Sequence, residues 1–131
     1  MRPQELVPEL IVGNVSRSID FYKDVLGFEI CQQVPEDGVP IWAEVAKGPA
    51  RFMLQDWTET LSEMPQLLGR PKGGITIFVL KADTQDEVRE IAESLSGHVN
   101  IVLPLRETDY GTVEFGITDP DGYVILFSAR T

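Results

Sequence analysis

Residues 6–26, LVPELIVGNVSRSIDFYKDVL, decide the fold, because strand-like patterning gives way there to helix-like patterning and the same change recurs later in the chain. The apolar run at its start is typical of a buried strand, and Val15–Leu26 repeats apolar residues at helical spacing. The order returns in Ile75–Leu80, which is strand-like, and in Thr84–Leu95, which is helix-like. The chain of 131 residues therefore contains one strand–helix unit written twice.

Local capping signals support both helices. Asn14 stands where an N-cap is expected, and Gly27 stands where a helix ends in the left-handed conformation. Thr84 and Glu87 have the spacing of a capping box, in which each residue accepts a hydrogen bond from the backbone N–H of the other. We therefore predict two helices that pack on a sheet.

Three strand-like segments, separated by turn residues, follow each helix. They are Phe28–Val34, Val39–Ala46 and Ala50–Gln55 in the first half, and Val99–Leu103, Gly111–Ile117 and Tyr123–Ala129 in the second. The order predicts an α+β fold in which two βαβββ modules form mixed sheets around a cleft. We assign residues 1–131 to one domain, with module 1 at about 5–56, a connector at 57–73, expected to be a loop or short helical turn, and module 2 at about 74–131.

Charge and hydropathy exclude several classes of protein. The net charge is −10, and Lys and Arg form no cluster that could displace counterions from nucleic acid. No apolar run approaches the ~20 residues of a membrane-spanning helix, and no signal peptide is visible, so we expect a cytoplasmic protein. The acidic charge suits a cationic ligand, although solubility alone would also account for it. The lone Cys31 excludes an intramolecular disulfide, and we expect it in the core.

Residues 18–28, SIDFYKDVLGF, and residues 119–123, DPDGY, carry a family resemblance. They resemble the helix-to-strand signature and the turn before the last strand in the vicinal oxygen chelate superfamily. That superfamily contains glyoxalase I, extradiol dioxygenases, fosfomycin-resistance enzymes and bleomycin-resistance proteins. Together with the doubled βαβββ order, the resemblance covers nearly the whole chain. It implies the fold and leaves the function open, because this scaffold supports several chemistries.

The metal-binding positions of that superfamily are apolar in this sequence. Metal-dependent members place His, Glu or Gln at four positions that face the cleft. Matched onto this chain through its motifs, the positions fall on Val7, Met53, Thr76 (or, with a shift of one residue, Ile75 or Ile77) and Leu126. Such a set supplies essentially no donor for a divalent transition metal, so we expect neither a metal nor another cofactor. The alternative is a register shift that brings Glu9 or Gln55 to a hard cation.

Strand alternation from these positions gives the side chains expected to face the cleft. We predict ligand contacts from Glu9, Trp42, Glu44, Met53, Gln55 and Phe78. Glu114 is added as a carboxylate that could reach the cleft, and Tyr110 is added through the family resemblance given below. Aromatic walls with nearby carboxylates suit a planar or cationic ligand, through stacking and cation–π contact. The alternatives are that Trp42 and Phe78 belong to the core, and that Glu9 and Glu44 are solvated carboxylates or lie at the rim of a dimer interface.

Residues 7–10, VPEL, and residues 108–115, TDYGTVEF, are similar to bleomycin-resistance proteins within that superfamily. Proteins of that type lack metal ligands and hold cationic glycopeptides in grooves at a dimer interface without changing them. The resemblance implies a homodimer, with strand exchange at Pro8 as an option, and a ligand contact at Tyr110, where that type usually has Trp. An ordinary edge strand would also account for Pro8.

The sequence therefore favours a metal-independent protein that binds a small organic ligand and sequesters a cationic or aromatic antibiotic. The alternative is a glyoxalase-like lyase or isomerase. In that case a carboxylate in the cleft, from Glu9, Glu44 or Glu114, would act as the general base, or a divalent metal would be required.

Overall fold

A computed structural model describes residues 1–73 and 76–130 of the chain. These residues form two compact units, Met1–Lys72 and Gly73–Thr131, and each contains a four-stranded mixed sheet. The predicted α+β class and the two βαβββ modules are thus confirmed. The predicted start of the second module's first strand, at Ile75, lies outside the described residues. No helix in the described ranges is long and apolar enough to cross a lipid bilayer.

The first unit contains the first four strands and two α-helices. They are β1 Glu9–Val12, α1 Val15–Asp20, β2 Glu29–Val34, β3 Trp42–Lys47, β4 Ala50–Asp56 and α2 Trp57–Glu63. The strand order is β1-β4-β3-β2, with β1 parallel to β4 and the other pairs antiparallel. The predicted connector, residues 57–73, is mostly helical. Helix α2 follows β4 directly, and a 3₁₀ turn, Pro65–Leu67, follows α2.

The helical segment predicted at Val15–Leu26 begins and ends where the sequence places it, but only its first part, α1, is α-helical. The backbone N–H of Arg17 donates to Asn14 Oδ1 at 3.0 Å, so Asn14 is the N-cap. The helix continues as a π-helical turn, Phe21–Val25, before Gly27 takes the left-handed conformation with φ at 75°. The Nζ of Lys47 donates to the backbone oxygen of Leu26 at 2.8 Å, and so it satisfies a carbonyl at the helix end.

Aromatic rings form the contact between this helical segment and the first sheet. Tyr22 is fully buried, and its ring meets the rings of Phe28 and Phe52 edge-on, with centroids 5.8 and 4.8 Å away. Leu10 and Leu54 are also buried, and they alternate along their strands with partly or fully exposed residues. One face of the sheet therefore packs against α1 and carries the core of this unit.

The second unit repeats the arrangement. Its elements are β5 Ile77–Lys81, α3 Gln85–Leu95, β6 Asn100–Glu107, β7 Thr112–Thr118 and β8 Val124–Arg130. The strand order is β5-β8-β7-β6, with β5 parallel to β8. The predicted capping box is present, because Thr84 N–H donates to Glu87 Oε2 at 2.9 Å and Glu87 N–H donates to Thr84 Oγ1 at 3.2 Å. Helix α3 packs on β7 and β8, where Phe115 and Phe127 are buried.

Cys31 corrects an expectation about the core. It is exposed, so its predicted position inside the protein is wrong. The pairing of β2 with β3 is irregular between Ile30 and Gln32, on either side of this residue. A bulge breaks the alternation of side chains, and the sequence pattern therefore does not show which way Cys31 points.

The turn before β8 is held by a buried carboxylate. Asp119 is 4% exposed, and its Oδ1 accepts hydrogen bonds from the backbone N–H groups of Asp121 and Tyr123, both at 2.9 Å. The backbone N–H of Asp119 itself donates to the oxygen of Tyr123. The side chain thus satisfies donors that the turn would otherwise leave without partners.

Replacing Asp119 with alanine should lower the free energy of unfolding by about 2–4 kcal/mol, because the hydrogen bonds to a charged acceptor are lost. Asp119→Asn keeps an oxygen at the same position and should cost about 1 kcal/mol. Urea denaturation of both variants measures the difference. Little or no loss in Asp119→Ala would show that the side chain does not hold the turn.

Gly116 on β7 should be intolerant of a side chain. A Cβ there would lie 2.9 Å from the Cβ of Leu103 on β6, which is closer than such atoms approach. Gly116→Ala should therefore cost about 1–3 kcal/mol by overpacking. The double variant Gly116→Ala/Leu103→Gly should lose less stability in thermal unfolding than the two single variants lose in total. Simple additivity would mean that this contact is not the cause.

Candidate functional site

The first sheet brings the predicted ligand residues of module 1 to one face. We call this the α1-distal face, because it lies opposite the face that packs on α1. Met53 pairs with Glu9 on one side and with Glu44 on the other, and Gln55 likewise pairs with Ile11 and Trp42. Side chains of paired residues point to the same face. The α1-distal face is thus defined by these side chains: Glu9, Ile11, Trp42, Glu44, Met53 and Gln55.

Trp42 is the largest of these side chains, and it is only partly buried. Its strand neighbour Ala43, on the opposite face, is fully buried, so the alternation along β3 is clear. Trp42 pairs with Val34 on β2, which is 51% exposed. The indole therefore offers accessible apolar surface next to Gln55, and it is not part of the α1-side core.

The carboxylates of this face differ in their partners. Glu44, whose side chain is 14% exposed, forms an ion pair with Arg51, whose Nε lies 3.2 Å from Glu44 Oε1. Arg51 also contacts the Glu5 carboxylate through Nη2. Glu9 is exposed, and within the described residues it has no ion pair. Of the two predicted ligand carboxylates on this face, Glu9 is therefore the one without a counter-charge among the described residues, whereas Glu44 has one.

The second sheet places Phe78 on the wrong face for the predicted role. Val79 pairs with Leu126, whereas Phe78 pairs with Ile125, which is 1% exposed and belongs to the core under α3. The ring of Phe78 also lies 6.1 Å from the ring of buried Tyr123. The sequence-based register of β5 was one residue off, and a shift of one residue moves every side chain to the other face.

In this chain, the residues at the superfamily's metal-binding positions are unsuited to hold a metal ion. Met53 and Leu126 lie where they were expected on their sheets, and the corrected register of β5 puts Ile77 in place of Thr76. With Val7 the set remains apolar and supplies no nitrogen or oxygen donor. Within the described ranges, no group of three or more His, Cys, Asp or Glu is arranged to hold a metal ion.

Tyr110 and Glu114 meet on the second sheet, on the face opposite α3, which we call the α3-distal face. It carries Glu114, Gly116, Leu126 and Ser128, which pair across β7 and β8. Glu114 is 6% exposed, and its Oε1 accepts from Arg106 Nη2 at 3.0 Å and from Tyr110 Oη at 3.1 Å. The hydrogen bond to Glu114 raises the pKa of the Arg106 guanidinium, which therefore stays charged. Tyr110 is 59% exposed, so its ring remains available to a ligand.

The sequence did not single out the arginines that pair with these carboxylates. Arg51 lies two residues from Met53 on β4, so strand alternation already places it on the α1-distal face. Arg106 pairs with Glu114 across β6 and β7, but the register between these strands shifts twice. No periodic pattern predicts such a pairing, because each irregularity changes which residues stand opposite one another.

Comparison with solved structures shows the same fold in proteins of low sequence identity. A glyoxalase/bleomycin resistance protein/dioxygenase from Nocardioides is 15% identical with a TM-score of 0.77, over 99% of this chain and 86% of that one. TioX from Micromonospora sp. ML1 is 22% identical with a TM-score of 0.71, over 98% and 100%. Lactoylglutathione lyase from Agrobacterium tumefaciens is 20% identical with a TM-score of 0.73, over 98% and 95%.

The sequence itself also matches a family. No curated protein matches it significantly. The profile of the Glyoxalase/Bleomycin resistance protein/Dioxygenase superfamily, however, matches residues 6–127, which is nearly the whole chain. The superfamily resemblance of the helix-to-strand segment and of the DPDGY turn is thereby confirmed, and the chain belongs to the Glyoxalase/Bleomycin resistance protein/Dioxygenase superfamily.

Proposed function

We propose that this protein binds a small organic molecule without a metal, and that the ligand lies on the α1-distal face of the first sheet. The observation that carries the proposal is the partly exposed side chain of Trp42. It pairs with Gln55 on β4, and Met53 lies two residues from Gln55 on the same face. Aromatic surface next to a flexible thioether adapts to flat ligands of different shapes. The exposed Glu9 carboxylate lies in the same row as Met53 and supplies a charge for a cationic group.

The ligand class that suits this surface is a planar or cationic organic molecule such as an antibiotic of the bleomycin type. Sequestration is the proposed role: the protein holds the molecule and does not transform it. The net charge of −10 would favour the approach of a cation. A homodimer, with strand exchange at Pro8 as an option, a ligand contact from Tyr110 and a cytoplasmic location also belong to the proposal, and they rest on the family resemblance.

A glyoxalase-like lyase or isomerase is the alternative, and a structural neighbour carries the name lactoylglutathione lyase. The side chains argue for binding instead. The family's metal positions have no donor, and Glu44 and Glu114 are each engaged by an arginine. Of the three carboxylates that could act as general base, this leaves Glu9, which is exposed to solvent.

Replacing Trp42 with alanine should weaken the binding of bleomycin by about tenfold or more, because stacking and buried aromatic area are lost. Isothermal titration calorimetry measures the dissociation constant. Trp57→Ala is the matched control, since Trp57 begins α2 and its ring already lies 5.1 Å from the Lys72 ammonium. Unchanged affinity in Trp42→Ala, or an equal loss in both variants, would contradict the proposed location.

Bleomycin incubated with the protein should be recovered unchanged, with binding that saturates at a fixed stoichiometry. The chelated protein should show no lactoylglutathione lyase activity, and added Ni²⁺ or Zn²⁺ should not restore any, because the donor set cannot hold these ions. Mass spectrometry of the drug and a spectrophotometric lyase assay test the two statements. Metal-restored turnover would reject the binding role in favour of the lyase.

A further inference from the structure

Glu114 has one carboxylate oxygen that is fully used and one that is not. Arg106 Nη2 and Tyr110 Oη both donate to Oε1, at 3.0 and 3.1 Å. Among the described residues, no hydrogen bond reaches Oε2. No fully buried side-chain nitrogen or oxygen in this part of the chain lacks a partner, so Oε2 keeps some contact with solvent. A nearly buried carboxylate thus presents a single accessible acceptor.

The charge around this acceptor is already balanced. Arg106 pairs with Glu114, and its side chain is 49% exposed, so the positive guanidinium stands between the carboxylate and any second cation that approaches from that side. Two cations on one carboxylate repel each other, whereas an uncharged donor meets no such cost. Oε2 is therefore better suited to a neutral N–H or O–H group than to an ammonium.

The surroundings of Glu114 limit where the rest of such a ligand can lie. The next residue of β7 on the α3-distal face is Gly116, which has no side chain, and the Cβ of Leu103 lies close above its backbone. Gly116 pairs with Leu126, and Glu114 pairs with Ser128. Leu103 fills the space above Gly116, so the exposed ring of Tyr110 is the surface beside the acceptor that is left for the rest of the ligand.

We propose that Glu114 Oε2 accepts a hydrogen bond from an uncharged hydroxyl or amide N–H on an aromatic ligand, with Arg106 and Tyr110 holding the carboxylate in place. Glu114 then acts as a specificity residue that favours neutral donors over ammonium groups. The inference rests on the proposed function, in that the protein is taken to bind a small molecule. It adds the ligand's donor group and a contact on the second sheet.

The test uses three aromatic probes that differ in one group: phenol as a neutral donor, acetophenone as an acceptor without a donor, and benzylamine as an ammonium at pH 7. Each is titrated into the ¹⁵N-labelled full chain, and the amide shifts of Glu114 and Gly116 are followed. The indole N–H of Trp42 reports the first sheet separately. Phenol should bind near Gly116 at least about tenfold more tightly than the other two, as expected for a hydrogen bond to a charged acceptor.

The variant Glu114→Gln should reverse the preference. If the amide oxygen keeps the bonds from Arg106 and Tyr110, the amide NH₂ takes the position of Oε2 and becomes a donor. Acetophenone should then bind more tightly than phenol. Glu44→Gln makes the same change in the glutamate–arginine pair of the first sheet, and it should leave the order of the probes at Gly116 unchanged. Tyr110→Phe, which leaves Oε2 untouched, should keep the preference for phenol.

The outcomes separate this inference from the proposed function. Equal affinities for phenol and acetophenone at Gly116, or tighter binding of benzylamine, would overturn the inference. Shifts confined to the Trp42 indole would also overturn it and would leave the proposed function in place. Phenol-selective shifts at Gly116 without a change at Trp42 would support the inference and would count against the proposed location. If Glu114→Gln does not fold, the order of the three probes in the wild type still decides.

Discussion

The rest of this structure depends on the alternation of side chains in each four-stranded sheet, of which one face packs against a helix. In the first unit, α1 packs on the face that carries Phe52, and in the second, α3 packs on the face that carries Phe115. Burial of those faces stabilises the units. Every other residue of the same strands then points to the distal face. The large apolar and charged side chains on that face do not pack against the helix.

Pairing of charges decides what those distal faces can recognise. A net charge of −10 alone would favour a cation at every carboxylate on these faces. Glu44 and Glu114, however, are each bonded to an arginine, whereas Glu9 is exposed and has no ion pair within the described residues. The chemistry of the faces therefore follows local pairs and not the total charge, because a nearby counter-ion outweighs distant ones.

Much of the fold could be predicted from short-range patterns. The caps at Asn14 and Thr84, the turn at Asp119 and the βαβββ order of both modules along the chain were confirmed. The predicted α1-distal side chains Glu9, Trp42, Glu44, Met53 and Gln55 also share one face, because β1, β3 and β4 pair without irregularity. Phe78 and Cys31 were misplaced. A single uncertain residue reverses the faces of β5, and a bulge interrupts β2.

The sequence by itself determined the doubled βαβββ order, the superfamily and the apolar character of the family's metal positions, because each of these depends on residue type and local spacing. Only the tertiary structure decided which carboxylates have counter-charges and which face Phe78 occupies. The bonds from Arg106 and Tyr110 to Glu114 depend on the register between β6 and β7, and two shifts in that register leave no trace in the sequence pattern. Contacts across irregular strands are set by packing in three dimensions, so they must be seen in the folded chain.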